Sequence, residues 1–213
     1  MANVSRVNGF RPVKHLNGSP YNGQANIYEV PAGEAIPVFI GDLVKLSDSA
    51  PTGNYPAVES VSTATTAVTG NASVAVVGAV VGIFNSKVDV DGKMTTGSVS
   101  LDIPIYRPAS TKQYVLVADA PDLIFEAEAA ASVALASLGL NADISSAAQT
   151  AGGGTGTSGQ GVSTTAPSST ATRPLTIVGF STRTDNEPVS ANNKVLVRIN
   201  THQYGAAGLA GHA

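Results

Sequence analysis

Gly154–Gly159 reads GTGTSG and matches the glycine fingerprint of dinucleotide-binding loops letter for letter. That chemistry needs the loop between a strand and a helix, with an acidic residue about 20 positions on to take the ribose. Here low-complexity sequence surrounds the motif, and Pro167, Arg173 and Pro174 follow, so it is read as composition rather than as a phosphate cradle. Asp89-Val-Asp91-Gly92 has the opening of a calcium loop. An EF-hand requires a Glu at the twelfth position and flanking helices. Ser100 stands there, so an Asp-Gly hairpin turn is the reading. Glu126 and Glu128 are spaced to share one face of a strand, and a solvated face accounts for them. His15, His202 and His212 are too few and too scattered for a metal cluster or a triad, and His202 reads as surface packing at a strand end. There is no GxSxG elbow, HExxH or P-loop. The expectation is a protein without catalytic residues, metal ligands or cofactor.

Composition points the same way. Charged residues make up 13% of the 213, against about 25% in typical soluble domains. A surface so poor in charge suits a chain packed against partners. The net charge of -3 offers no basic face for nucleic acid. Cysteine is absent, which removes disulfides and thiolate metal sites. The longest apolar run, Val74–Phe84, is about half the roughly 20 residues that a membrane-spanning helix needs. The opening MANVSRVNGF lacks an apolar signal-peptide core, so the expected setting is soluble, with synthesis in a cytoplasm.

The elements that would position any site are strands. Val, Ile and Phe dominate Asn26–Val30, Ala35–Ile40, Asp42–Leu46, Ala57–Val61, Leu101–Arg107, Gln113–Asp119, Leu123–Ala127, Leu175–Arg183 and Lys194–Tyr204. Ser73–Phe84 is almost continuously apolar and predicts a strand buried on both faces, with Gly78 and Gly82 at bulges or close backbone approaches. Ala129–Leu138 is the one predicted short helix. Turn-rich loops join these runs, so the fold class is all-β, a β-barrel or sandwich core.

Three segments stand outside that core. Residues 1–26 predict an extended N-terminal arm, mobile until a partner orders it. Arg6, Arg11 and Lys14 make it basic, no acid precedes Glu29, and Phe10 and Tyr21 are the candidate apolar anchors. Within a core at 27–204, Ser145–Arg173 is built almost wholly from Gly, Ser, Thr and Ala. With Val162 as its only sizeable apolar side chain, it predicts a flexible insertion, and the stretch from about Gly152 to Ser169 within it is expected to be dispensable for folding. Residues 205–213 predict a flexible tail.

The texture and order of four segments resemble the head decoration (cement) proteins of tailed phages. The segments are IPVFIGDLVKLSD, VAVVGAVVGIF, IPIYRPASTKQYVLVADAPDLIFEAEA and PLTIVGFSTRTDNEPVSANNKVLVRINTHQY, and the resemblance runs from Asn8 to Tyr204. It implies a structural virion protein on the outer surface of the capsid, bound to the major capsid protein and to copies of itself as a homotrimer, with no nucleic-acid or membrane partner. The alternative is a receptor- or glycan-binding module of a phage tail or bacterial surface. Such modules cluster aromatics, whereas Trp is absent here and the six Tyr are scattered along the sequence.

Overall fold

The computed structural model describes residues 3–61, 74–84, 106–145, 156–163 and 165–205. The expected turn at Asp89–Lys93, the first five residues of the expected strand at Leu101–Arg107, His212 and almost all of the expected tail lie outside the described residues.

The described residues are almost entirely β. In chain order the strands are β1 (Arg11–His15), β2 (Asn26–Val30), β3 (Leu43–Leu46), β4 (Val58–Ser60), β5 (Gly78–Ile83), β6 (Gln113–Ala118), β7 (Leu123–Glu128), β8 (Asn141–Ala142), β9 (Ile144–Ser145), β10 (Gly161–Val162), β11 (Leu175–Phe180) and β12 (Lys194–Ile199). Two five-stranded antiparallel sheets result, ordered β1-β7-β12-β11-β8 and β2-β6-β5-β3-β4, with β9 and β10 as a small third ladder.

The first sheet alternates as a half-buried sheet should. Leu123, Phe125 and Ala127 of β7 and Val195, Val197 and Ile199 of β12 turn inward to a core shared with Leu43, Ala79 and Ala118 of the second sheet. Glu126, Glu128, Lys194 and Arg198 lie on its outer face, in a register that sets Lys194 opposite Glu128 and Leu196 opposite Glu126. The second sheet packs apolar side chains on both faces. Tyr28, Val30, Val44, Val58, Val80, Val115 and Val117 form a separate core on its other side. It can bury both faces because a parallel bridge from Glu29 to Ala57 brings its two edge strands together, so the sheet curls around that second core. The edges meet at a bridge rather than along a ladder, and the whole is a sandwich with one coiled sheet.

The near-continuous apolar run of β5 is explained by this double burial. Gly78 is required there, since a Cβ would lie 2.1 Å from the Ala118 carbonyl oxygen. A register shift between Val80 and Gly82 marks the expected bulge. The expected helix at 129–138 contracts to a 3-10 turn, Leu135–Ser137. Its first residues are captured by strand neighbours instead: the Ala129 amide donates to the Asn193 carbonyl at 2.9 Å and the Ala130 amide to the Val162 carbonyl at 3.0 Å. Tertiary pairing thus overrides the helix propensity of alanine.

The described parts of the two expected appendages are also drawn in, while residues 146–155 and 164 of the insertion lie outside the described residues. Arg11–His15 is an edge strand paired with β7, not a free arm. Pro12 is tolerated because an edge strand has one side without a ladder. That side is covered by the next turn, where the His15 amide donates to the Ser19 carbonyl at 2.8 Å and the Tyr21 amide to the Val13 carbonyl at 3.0 Å. From the insertion, Gly161–Val162 pairs with Ile144–Ser145, and Ser158, Gln160 and Val162 are buried.

Candidate interaction surface

The N-terminal segment passes from the surface to the interior within a few residues. Residues 4–8 are exposed, and Gly9 and Phe10 are buried. Asn3 and Glu187 exchange two hydrogen bonds, from Asn3 Nδ2 to the Glu187 carbonyl at 2.9 Å and from the Glu187 amide to Asn3 Oδ1 at 2.7 Å. Ser5 Oγ donates to one oxygen of Glu128 at 2.9 Å and the Arg6 amide to the other at 2.7 Å. Lys194 reaches the same carboxylate at 3.4 Å. Glu128 is therefore buried beneath this segment and is the acceptor that holds it, which corrects the reading of a solvated face.

Of the five residues marked by sequence, the structure separates three roles. Phe10 is 1% exposed and sits in the shared core, and Tyr21 packs half-buried against it while donating its hydroxyl to the Gln24 carbonyl at 3.0 Å. Phe10 is thus an anchor to its own fold and is not available to a partner. Lys14 is half-buried opposite Ile124 on β7. Arg6 and Arg11 are exposed and line one small cleft of about 90 Å³ with Glu126, Glu128, Arg183 and Lys194. Arg11 stands in register with Glu126 across the β1–β7 ladder, but Glu126 is engaged elsewhere. It accepts Ser181 Oγ at 2.6 Å and faces Arg183 at 3.6 Å. Arg183 is also held by Asp185 at 2.9 Å, and this hydrogen bond raises the arginine's pKa and lowers that of the aspartate.

The apolar residues beside these cations are not the aromatics. Among the ten exposed large hydrophobics of the described residues, Val4, Val7, Val13 and Leu16 all fall in the first sixteen positions, and Val4 is 67% exposed. They concentrate bare apolar surface in the same short segment of chain as Arg6 and Arg11. Spacing could not mark them, because no strand or helix period relates them.

Where Gly9 enters the body, three distant segments lock together. The Phe10 amide donates to the Gly41 carbonyl and the Ser158 amide to the Ile40 carbonyl, each at 2.8 Å. Ser158 Oγ donates to Asp42 Oδ1, and the Phe39 amide to Asp42 Oδ2 at 2.8 Å. Gln160 Oε1 accepts the Leu43 amide at 2.8 Å. The second half of GTGTSG is therefore a buried polar seam leading into a strand, not a loop opening a helix.

Three further buried groups escaped the sequence reading. Arg107 is fully buried, and its guanidinium donates to the carbonyls of Pro31, Glu34, Ile36 and Thr111 at 2.7–2.8 Å. Burial lowers its pKa to about 10, against the opposing pull of Glu34. It ties the segment 31–36 to Thr111 through carbonyls rather than a carboxylate. His202 is buried rather than at the surface, and desolvation lowers its pKa. Tyr28 donates its hydroxyl to Asp119 at 2.6 Å beside Asn26, and burial first, then that bond, raises the phenol's pKa. Among the described residues no group of three or more His, Cys, Asp or Glu is placed to hold a metal ion, and no helix is long and apolar enough to cross a membrane.

Comparison with protein-family models, with curated proteins and with solved structures finds no match.

Proposed function

We propose that this chain is a structural virion protein that binds the outer surface of a tailed-phage capsid and reinforces the shell, working through contact rather than catalysis. The observation that carries the reading is the N-terminal strip. Val4, Val7, Val13 and Leu16 stand exposed in the same segment as Arg6 and Arg11, on a body with few charges. Apolar surface interleaved with arginine is the composition of protein interfaces. A rigid sandwich with two cores provides the platform, and many copies of a weak contact suffice to strengthen a lattice. The strip meets the major capsid protein or a neighbouring copy, and the resemblance of the sequence to decoration proteins supports a homotrimer.

The test is stoichiometry. Quantitative mass spectrometry of purified particles should find this chain at a copy number comparable with the three-fold positions of the capsid lattice. A few copies per particle would place it in a tail instead. The alternative, a receptor- or glycan-binding role, draws on one observation, the Asn26–Tyr28–Asp119 cluster beside an open cleft of about 530 Å³. It is the weaker reading, since the phenol is buried and the carboxylate is already filled by internal donors.

A further inference from the structure

The geometry points to the cleft between Arg6 and Arg11 as a binding site for a carboxylate presented by an acidic segment of a partner protein. This names the partner chemistry of the proposed capsid-facing surface, and it rests on that reading only for where the partner resides.

Glu128 is satisfied by Ser5 Oγ, the Arg6 amide and Lys194. Glu126 is satisfied by Ser181 Oγ and faces Arg183. Lys194 is thus committed to Glu128, and Arg183 is shared between Glu126 and Asp185, which leaves the guanidinium groups of Arg6 and Arg11. Neither forms a hydrogen bond or ion pair among the described residues. Both are exposed and open onto the same cleft of about 90 Å³. Two unpaired forks at one small opening match the bidentate geometry of an oxyanion.

The surroundings select among oxyanions. Charge alone does not, since Arg6, Arg11, Arg183 and Lys194 outnumber Glu126 and Glu128 around the cleft and attract a phosphate as they attract a carboxylate. Val4 and Val7 flank Arg6 in sequence and are exposed, offering apolar contact that a free ion cannot use. An acidic side chain within a peptide uses both features.

The experiment titrates the full chain with end-capped hexaglutamate at fixed ionic strength and follows the arginine Nε–Hε resonances. The resonances of Arg6 and Arg11 should move together and saturate. Hexaglutamine at the same concentration should leave them still. The Arg6→Gln, Arg11→Gln double variant should weaken hexaglutamate binding about tenfold, as expected for two partly exposed charge-assisted contacts. Lys45→Gln, which removes a surface ion pair with Glu59 on the second sheet, is the control and should bind normally. Arg11→Lys keeps the charge without the fork and should fall between. Undiminished binding by the double variant, or shifts confined to other arginines, would overturn the site. Saturable binding of inorganic phosphate in preference to hexaglutamate would overturn its assignment to a peptide carboxylate. If hexaglutamate binds as expected while the chain proves to be a minor tail component, the cleft stands and the capsid reading fails.

Discussion

The N-terminal segment and the stretch from Gly156 to Ser163 both resemble appendages in sequence, yet they join the fold by opposite means. The first is fastened at one point by Phe10 and then lies along the surface on hydrogen bonds to Glu128 and Glu187. The second has one large apolar side chain, Val162, and is otherwise carried inside by buried polar contacts, Ser158 to Asp42 and Gln160 to Leu43. Apolar surface is one route out of disorder and a satisfied hydrogen-bond network is another. Only the first can be counted from composition. The two segments also meet, since Gly9, Gly41 and Ser158 pack against one another.

That meeting point is where the largest effect is expected. A Cβ on Gly9 would lie 2.4 Å from the Gly41 carbonyl oxygen, and Gly9 has a φ of +69°. Gly9→Ala therefore combines left-handed strain with overpacking and should cost about 2–6 kcal/mol by chemical denaturation. A loss below about 1 kcal/mol would show that the junction yields and that the segments are independent. Phe10→Ala comes next, at about 3–5 kcal/mol for an emptied aromatic site in the core. If it instead leaves stability intact while abolishing partner binding, Phe10 is an interface anchor and not a core residue.

Ser158→Ala sharpens the polar half of the comparison. It removes the donor to Asp42 and the acceptor for the Gln160 amide, which bonds Ser158 Oγ at 2.9 Å. A buried carboxylate stripped of a donor should cost about 3 kcal/mol. Adding Asp42→Asn should recover part of that loss, since an amide left short of a partner is cheaper than a charge. Additive losses in the double variant would mean that Ser158 and Asp42 act separately.

Strands rich in β-branched residues were legible because their burial is written into their side chains, and β2, β6, β7, β11 and β12 begin where the sequence says. β1 was hidden because Arg11, Pro12, Lys14 and His15 have no strand pattern, and only the edge of β7 makes a strand of them. The run Ala35–Ile40 failed the other way, giving only isolated bridges at Val38 and Ile40 because Arg107 and Ser158 take its backbone partners. Arg6 and Arg11 could be named from charge alone. Arg183, Lys194, Glu126 and Glu128 could not be joined to them, since the antiparallel register of β1, β7 and β12 brings them together from more than a hundred residues away.

The smallest expected effect tests whether the surface-lying part of the N-terminal segment belongs to the fold at all. Removing residues 1–7 keeps Gly9 and Phe10 and deletes Ser5 and Arg6, two of the groups that hold Glu128. Lys194 still faces that carboxylate, and water replaces the lost donors once the segment no longer covers it. The net change should be about 1 kcal/mol, the difference between partly exposed hydrogen bonds and hydration, or a melting shift of about 2–4 °C for a chain of this size. Partner binding should fall much further, because Val4, Val7 and Arg6 leave together, and part of what remains should disappear as salt screens Arg11. A truncated protein that melts far lower would make residues 3–7 a structural strap like the Ser158 seam. One that keeps both its stability and its partner would move the interface away from the N-terminal strip.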